Sequence, residues 1–161
     1  MKLFPLLAGL VAALAACATA RDEAPAAPAF YVMRHLEKAE GPDPGLSEVG
    51  RAKAERLAAL LAKDPPSAIY VSTTRRAAET AAPLARKLGI APKAYDPSDT
   101  SGLIARVIAE RGPVLIVGHS NTVPEIVERL GGSRPAPLAE TDYGDVWKIS
   151  GEPRRTERLK L

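Results

Sequence analysis

The sequence predicts an α/β domain built on a largely parallel sheet, and three observations predict it. From Phe30 onward short β-type runs alternate with helical runs, the order that parallel strands joined by crossover helices require. The run Val114-Leu115-Ile116-Val117 is continuous in apolar residues, as a strand covered on both faces should be. Prolines and glycines fall mainly between these runs, where they end elements.

The first strand is read at Phe30 to Met33. After a loop holding Gly41, Pro42, Pro44 and Gly45, Ser47 is placed as an N-cap, with Leu46, Gly50, Ala54, Leu57 and Leu61 at helical spacing. That helix must stop before Pro65-Pro66. A second strand, Ala68 to Val71, leads through Ser72-Thr73-Thr74 into a helix carrying Arg76, Thr80 and Leu84, with a kink expected at Pro83. A weaker strand at Pro92 to Tyr95 and a helix near Ser101 to Glu110 follow. The apolar strand Val114 to Val117 turns through Gly118 to Asn121 into a helix that ends before Gly131-Gly132. The tail supplies strands at Asp145 to Ile149 and Thr156 to Leu161.

With 161 residues there is room for one core and one site. The chain is 46% hydrophobic and 25% charged with a net charge of +3, which argues against disorder of the whole. Lys and Arg alternate with Asp and Glu, and four tyrosines, two phenylalanines and one tryptophan are few for base stacking, so nucleic acid is not the expected partner. A single cysteine excludes an internal disulfide and a multi-cysteine metal site.

Met1-Lys2 precedes an apolar stretch from Leu3 to Ala16, too short for the roughly 20 residues that span a bilayer and ordered like an export signal. Leu14-Ala15-Ala16-Cys17 resembles the bacterial lipoprotein signal, in which the cysteine is acylated. The reading is therefore a signal peptide at 1–16, an Ala/Pro-rich tether at 17–29 and a domain at 30–161, exported and held to a membrane by a lipid on Cys17, on the periplasmic side of the envelope.

Open α/β sheets hold ligands at the carboxyl ends of their strands. Arg34-His35, Ser72 to Arg76, Asp96 to Asp99 and Gly118-His119 each follow a predicted strand, so the interesting polar residues share one rim. The two histidines of the chain both lie there, beside Arg34 and Arg76.

Arg34-His35-Leu36-Glu37 resembles the Arg-His-x-Glu signature of the histidine phosphatase superfamily, which includes the phosphoglycerate mutases. Leu46-Ser47-x-x-Gly50, Ser72 with Arg76-Ala77-x-x-Thr80-Ala81, and Val117-Gly118-His119 resemble its further motifs in the same order. The resemblance implies a phosphoglycerate mutase-like three-layer α/β/α sandwich, with His35 as nucleophile and Arg34, Arg76 and His119 as the phosphate pocket. It also implies a phosphorylated substrate, with no cofactor and no metal. A neutral imidazole attacks a phosphate dianion without adding charge, two guanidiniums and a protonated His119 balance the phosphoryl oxygens, and the backbone N–H groups of Ser120 and Asn121 at a helix start assist.

The leaving oxygen needs a proton and the phosphohistidine needs an activated water, and one carboxyl group can serve both. The family's acid often follows the third strand, which implies Asp99 or Asp96, with Glu37 third. Both aspartates also suit turn formation and capping around Pro97. Leu36 stands where glycine or alanine is usual and is expected to narrow the space beside the nucleophile; Lys38 is expected to add a cation. The short path from Thr80 to His119 predicts an open cleft suited to a bulky substrate.

Gly118-His119-Ser120-Asn121-Thr122 is a poor nucleophile elbow, since its last glycine is missing and no histidine follows. Two distant histidines make no recognisable metal set. Two other readings stand beside the phosphatase: a binding lipoprotein with an anion pocket and no turnover, and a phosphoglycerate mutase-type transferase.

Overall fold

The computed structural model describes residues 28–161. The readings of the signal peptide, of Cys17 and of nearly all the tether lie outside the described residues.

Four strands form the parallel part of the sheet: β1 (Phe30–Arg34), β2 (Ala68–Ser72), β3 (Lys93–Tyr95) and β4 (Val114–Gly118). Two more, β5 (Asp145–Ser150) and β6 (Arg155–Lys160), add antiparallel, giving the order β3-β2-β4-β1-β5-β6. The helices are α1 (Glu48–Leu61), α2 (Arg75–Leu88), α3 (Thr100–Ile108) and α4 (Val123–Arg129). This is the predicted sandwich with a mixed sheet, and the elements fall where the sequence put them to within a few residues.

Local chemistry sets the boundaries. Ser47 caps α1 by accepting from the Gly50 N–H at 3.1 Å, and α1 ends ahead of Pro65-Pro66. Gly89, at φ 67°, takes the left-handed conformation that closes α2. Pro83 sits within α2, which runs on unbroken as a helix through it. Gly50 has a separate job: a Cβ there would collide with the Glu37 carbonyl oxygen, so only glycine lets α1 press against the loop after β1.

Alternation along the strands makes two cores. Tyr31, Met33, Ile69, Val71, Leu115 and Val117 face α1 and α2. Phe30, Val32, Ala68, Tyr70, Val114 and Ile116 face α3 and α4. Because β1 feeds α1 on one face while its neighbour β4 feeds α4 on the other, the two chains part at the carboxyl ends of these strands and leave a crevice between them.

Candidate active site

His35 and His119 stand at that crevice, one residue past β1 and β4. The His35 N–H donates to the Gly118 carbonyl at 2.9 Å, extending the β1–β4 pairing to the nucleophile position itself. His35 Nδ1 lies 2.8 Å from the Leu36 carbonyl oxygen. A carbonyl can only accept, so Nδ1 carries the proton and Nε2 keeps its lone pair. The two rings meet edge to face with centroids 5.4 Å apart.

Burial pushes the His35 imidazole down to about 4, with Arg76, His119 and Arg34 adding repulsion and the Leu36 carbonyl opposing them. Burial, then Arg76 and Arg34, push His119 to about 4 as well. Both rings are therefore neutral near pH 7 in the free protein. The expectation of a protonated His119 concerned the site with a phosphoryl group in it; without an anion, two guanidiniums already supply the positive charge and a third cation beside them is unfavourable.

Arg34 is 3% exposed and is spent largely on one loop. Its Nη1 donates to the carbonyls of Ala139 at 2.7 Å and Asp142 at 3.3 Å, and its Nη2 to Glu140 Oε2 at 3.2 Å and the Tyr143 hydroxyl at 3.3 Å. The Tyr143 ring lies 4.2 Å from the guanidinium carbon, a cation–π contact. Arg76, in the first turn of α2, has Nη1 3.7 Å from Asp43 Oδ1. Among the described residues the buried Nε atoms of Arg34 and Arg76 have no hydrogen-bond partner. Two guanidiniums beside a neutral imidazole on one cavity wall make a lining that attracts an oxyanion.

These groups line a cavity of about 360 Å³ with Lys38, Thr74, Pro97, Ser120, Asn121 and Glu140. Four predicted pocket residues, Arg34, His35, Arg76 and His119, converge on it, together with Ser120 and Asn121. Lys38 stands exposed at its wall, where a cation was expected.

The predicted acids do not come with them. Asp96 Oδ1 accepts from the backbone and hydroxyl of Ser98 at 2.9 and 2.7 Å, an Asx turn. Asp99 caps α3 by accepting from the Gly102 N–H at 2.8 Å. Glu37 Oε1 is paired with Lys53. None of the three lines the cavity. Leu36 is likewise corrected: it is fully buried among α1 and α2, away from the cavity, so the departure serves packing, worth roughly 1.5–3 kcal/mol.

The sequence reading missed Glu140; for Tyr143 it took packing as the default and a substrate-facing role as the lesser alternative. The sequence carried no signal for Glu140, because the loop's place follows from a strand pairing seen only in the structure. A strand pairing antiparallel beside β1 begins at the rim where β1 ends, so the loop before Asp145 belongs to the site rim even though it precedes its strand.

Two imidazoles and two arginines thus line one cavity at the carboxyl end of the parallel strands of an α/β sandwich. The family model described as Histidine phosphatase superfamily (branch 1) matches residues 31–98 of this chain. A SixA protein from Agrobacterium tumefaciens shares the fold at a TM-score of 0.65 and 22% identity, over 84% of this chain and 99% of that one. A mycobacterial glucosyl-3-phosphoglycerate phosphatase does so at 0.65 and 18%, over 84% and 98%. The protein histidine phosphatase SixA complexed with tungstate does so at 0.64 and 16%, over 82% and 96%. In sequence, the PE-PGRS family protein PE_PGRS11 of Mycobacterium tuberculosis is 47% identical over 53 residues, which are 32% of this chain and 9% of that protein's length.

Proposed function

We propose that this chain is a metal-independent phosphatase that hydrolyses phosphate monoesters or protein phosphohistidine through a phosphohistidine on His35. The observation that carries the reading is the His35 tautomer: Nδ1 is committed to the Leu36 carbonyl, so Nε2 offers its lone pair to the cavity that Arg34, Arg76 and His119 share. In the first step Nε2 bonds to phosphorus as the bond to the leaving oxygen breaks, and that oxygen takes up a proton. In the second, water bonds to phosphorus, the N–P bond breaks and phosphate departs. Arg34 and Arg76, which line the cavity, balance the charge that moves across the phosphoryl oxygens. The likeness to SixA proteins and to a sugar-acid phosphatase supports a phosphorylated substrate. The path between α2 and β4 holds only β3 and α3, which suits a large substrate better than an enclosed metabolite.

The test is release of phosphate from an aryl phosphate by the purified protein, with and without chelator, beside His35→Ala. Chelator-insensitive release that the variant loses, with an acid-labile and base-stable phosphoprotein trapped on the wild type, is the expected result. Phosphate binding without turnover of any ester would replace the enzyme by an anion-binding protein. We further propose export and lipid attachment at Cys17, for which the apolar run ending in Ala-Ala-Cys is the support. Incorporation of labelled fatty acid that Cys17→Ser abolishes checks it; an unlabelled wild type rejects it.

A further inference from the structure

We propose that Glu140 is the general acid and base of this site, an inference that rests on the phosphatase reading. Four observations carry it. Glu140 is the one carboxylate lining the cavity that holds His35 and His119 among the described residues. The other acids nearby are held elsewhere: Asp96 by Ser98, Asp99 by Gly102, and Asp43 by the Arg75 N–H at 3.1 Å with its edge toward Arg76, while Glu37 pairs with Lys53 through Oε1 and keeps a buried, unpartnered Oε2 outside the cavity lining. The turn that carries Glu140 is tied down, since Asp142 Oδ2 accepts from the Ala139 N–H at 2.7 Å and Arg34 Nη1 grips the carbonyls of Ala139 and Asp142. The Glu140 side chain itself is 80% exposed, so its carboxyl group stands at the mouth of the cavity on a fixed base.

The mouth is where the proton is needed. In-line attack by a nucleophile on the cavity floor points the leaving oxygen outward, and the hydrolytic water enters along the same line. In the first step the Glu140 carboxyl proton passes to the leaving oxygen as its bond to phosphorus breaks, leaving a carboxylate. In the second the carboxylate takes a proton from the water whose oxygen bonds to phosphorus as the bond to His35 Nε2 breaks, which restores the acid. The Arg34 Nη2 contact at 3.2 Å places the carboxyl group beside the guanidinium that also serves the phosphoryl group.

The experiment compares Glu140→Gln with wild type on an alkyl phosphate, whose leaving group needs a proton, and on nitrophenyl phosphate, whose leaving group does not. Loss of an acid–base group predicts turnover of the alkyl ester lowered about 10²–10⁴-fold with little change in KM. On nitrophenyl phosphate it predicts a rapid burst of one nitrophenol per active site followed by slow release, because the phosphoenzyme forms but lacks its base. Wild-type turnover in Glu140→Gln, or an equal loss on both esters without a burst, overturns the assignment while leaving a His35-dependent phosphatase intact. If the wild type releases no phosphate in a His35-dependent manner, the phosphatase reading fails and the Glu140 role falls with it. An unchanged circular dichroism spectrum and unfolding midpoint for the variant assign the losses to chemistry.

Discussion

The hydroxyl of Thr80 accepts a hydrogen bond from the Leu36 N–H at 3.0 Å and donates one to the Arg76 carbonyl at 2.8 Å. Leu36 in turn offers its carbonyl to His35 Nδ1 at 2.8 Å. One buried side chain in the middle of α2 thus joins the peptide that orients the nucleophile to the turn that carries a phosphate-facing arginine. Thr80 is fully buried, so neither bond has a water to fall back on.

Thr80→Val keeps the volume and removes the bonds. The Leu36 N–H is left buried without its acceptor, which costs about 1–3 kcal/mol of stability. If the hydroxyl also positions His35, kcat falls with little change in KM, and Thr80→Ser recovers most of it. Urea unfolding and steady-state kinetics on the three proteins check this. A Val variant that loses stability and keeps its kcat assigns Thr80 to structure alone.

The same residues explain why part of the site was legible and part was not. His35, His119 and Arg76 sit directly beyond strands whose apolar patterning is strong, and a parallel sheet brings such positions together whatever its loops do. Ser47 and Gly50 were readable because capping and close packing are local. The acid was not readable from strand ends alone. Asp96 and Asp99 have the residue type and the rim position, but their carboxylates are turned back onto their own backbone, a distinction of side-chain direction that spacing does not encode. Glu140 reaches the site only because β5 runs antiparallel beside β1, a pairing that its sequence does not announce.

Asp99 offers a direct check on that distinction. As the N-cap of α3 its loss to alanine costs about 1 kcal/mol, read as a lower unfolding midpoint. Its carboxylate does not line the cavity, so turnover of an aryl phosphate stays at the wild-type level. A large fall in kcat without a change in midpoint would return Asp99 to the chemistry. Asp99→Asn, which keeps the cap, is expected to match wild type on both measures.

The two imidazoles give the protein a pH signature that can be read without any substrate. Both are pushed to about 4, below the 6.5 of a free imidazole, with burial as the first cause and the neighbouring arginines next. Between pH 6.5 and about 4 the unfolded chain therefore binds more protons at these residues than the folded one. Their neutral burial carries no such penalty above 6.5, and stability falls as pH drops through that window. Because the chain has only two histidines, NMR titration resolves both ring signals, and His119→Asn assigns them. In phosphate-free buffer neither ring is expected to titrate near 6.5. Saturation with inorganic phosphate or tungstate moves the His119 midpoint upward, since an anion beside the ring favours the imidazolium and the arginine repulsion is then balanced. The shift is reciprocal, so the anion must bind more tightly as pH falls through the bound-state midpoint, until the anion itself takes up a proton. Two rings that titrate near 6.5 in the free protein, unmoved by the anion, would mean that they do not share a buried cationic pocket.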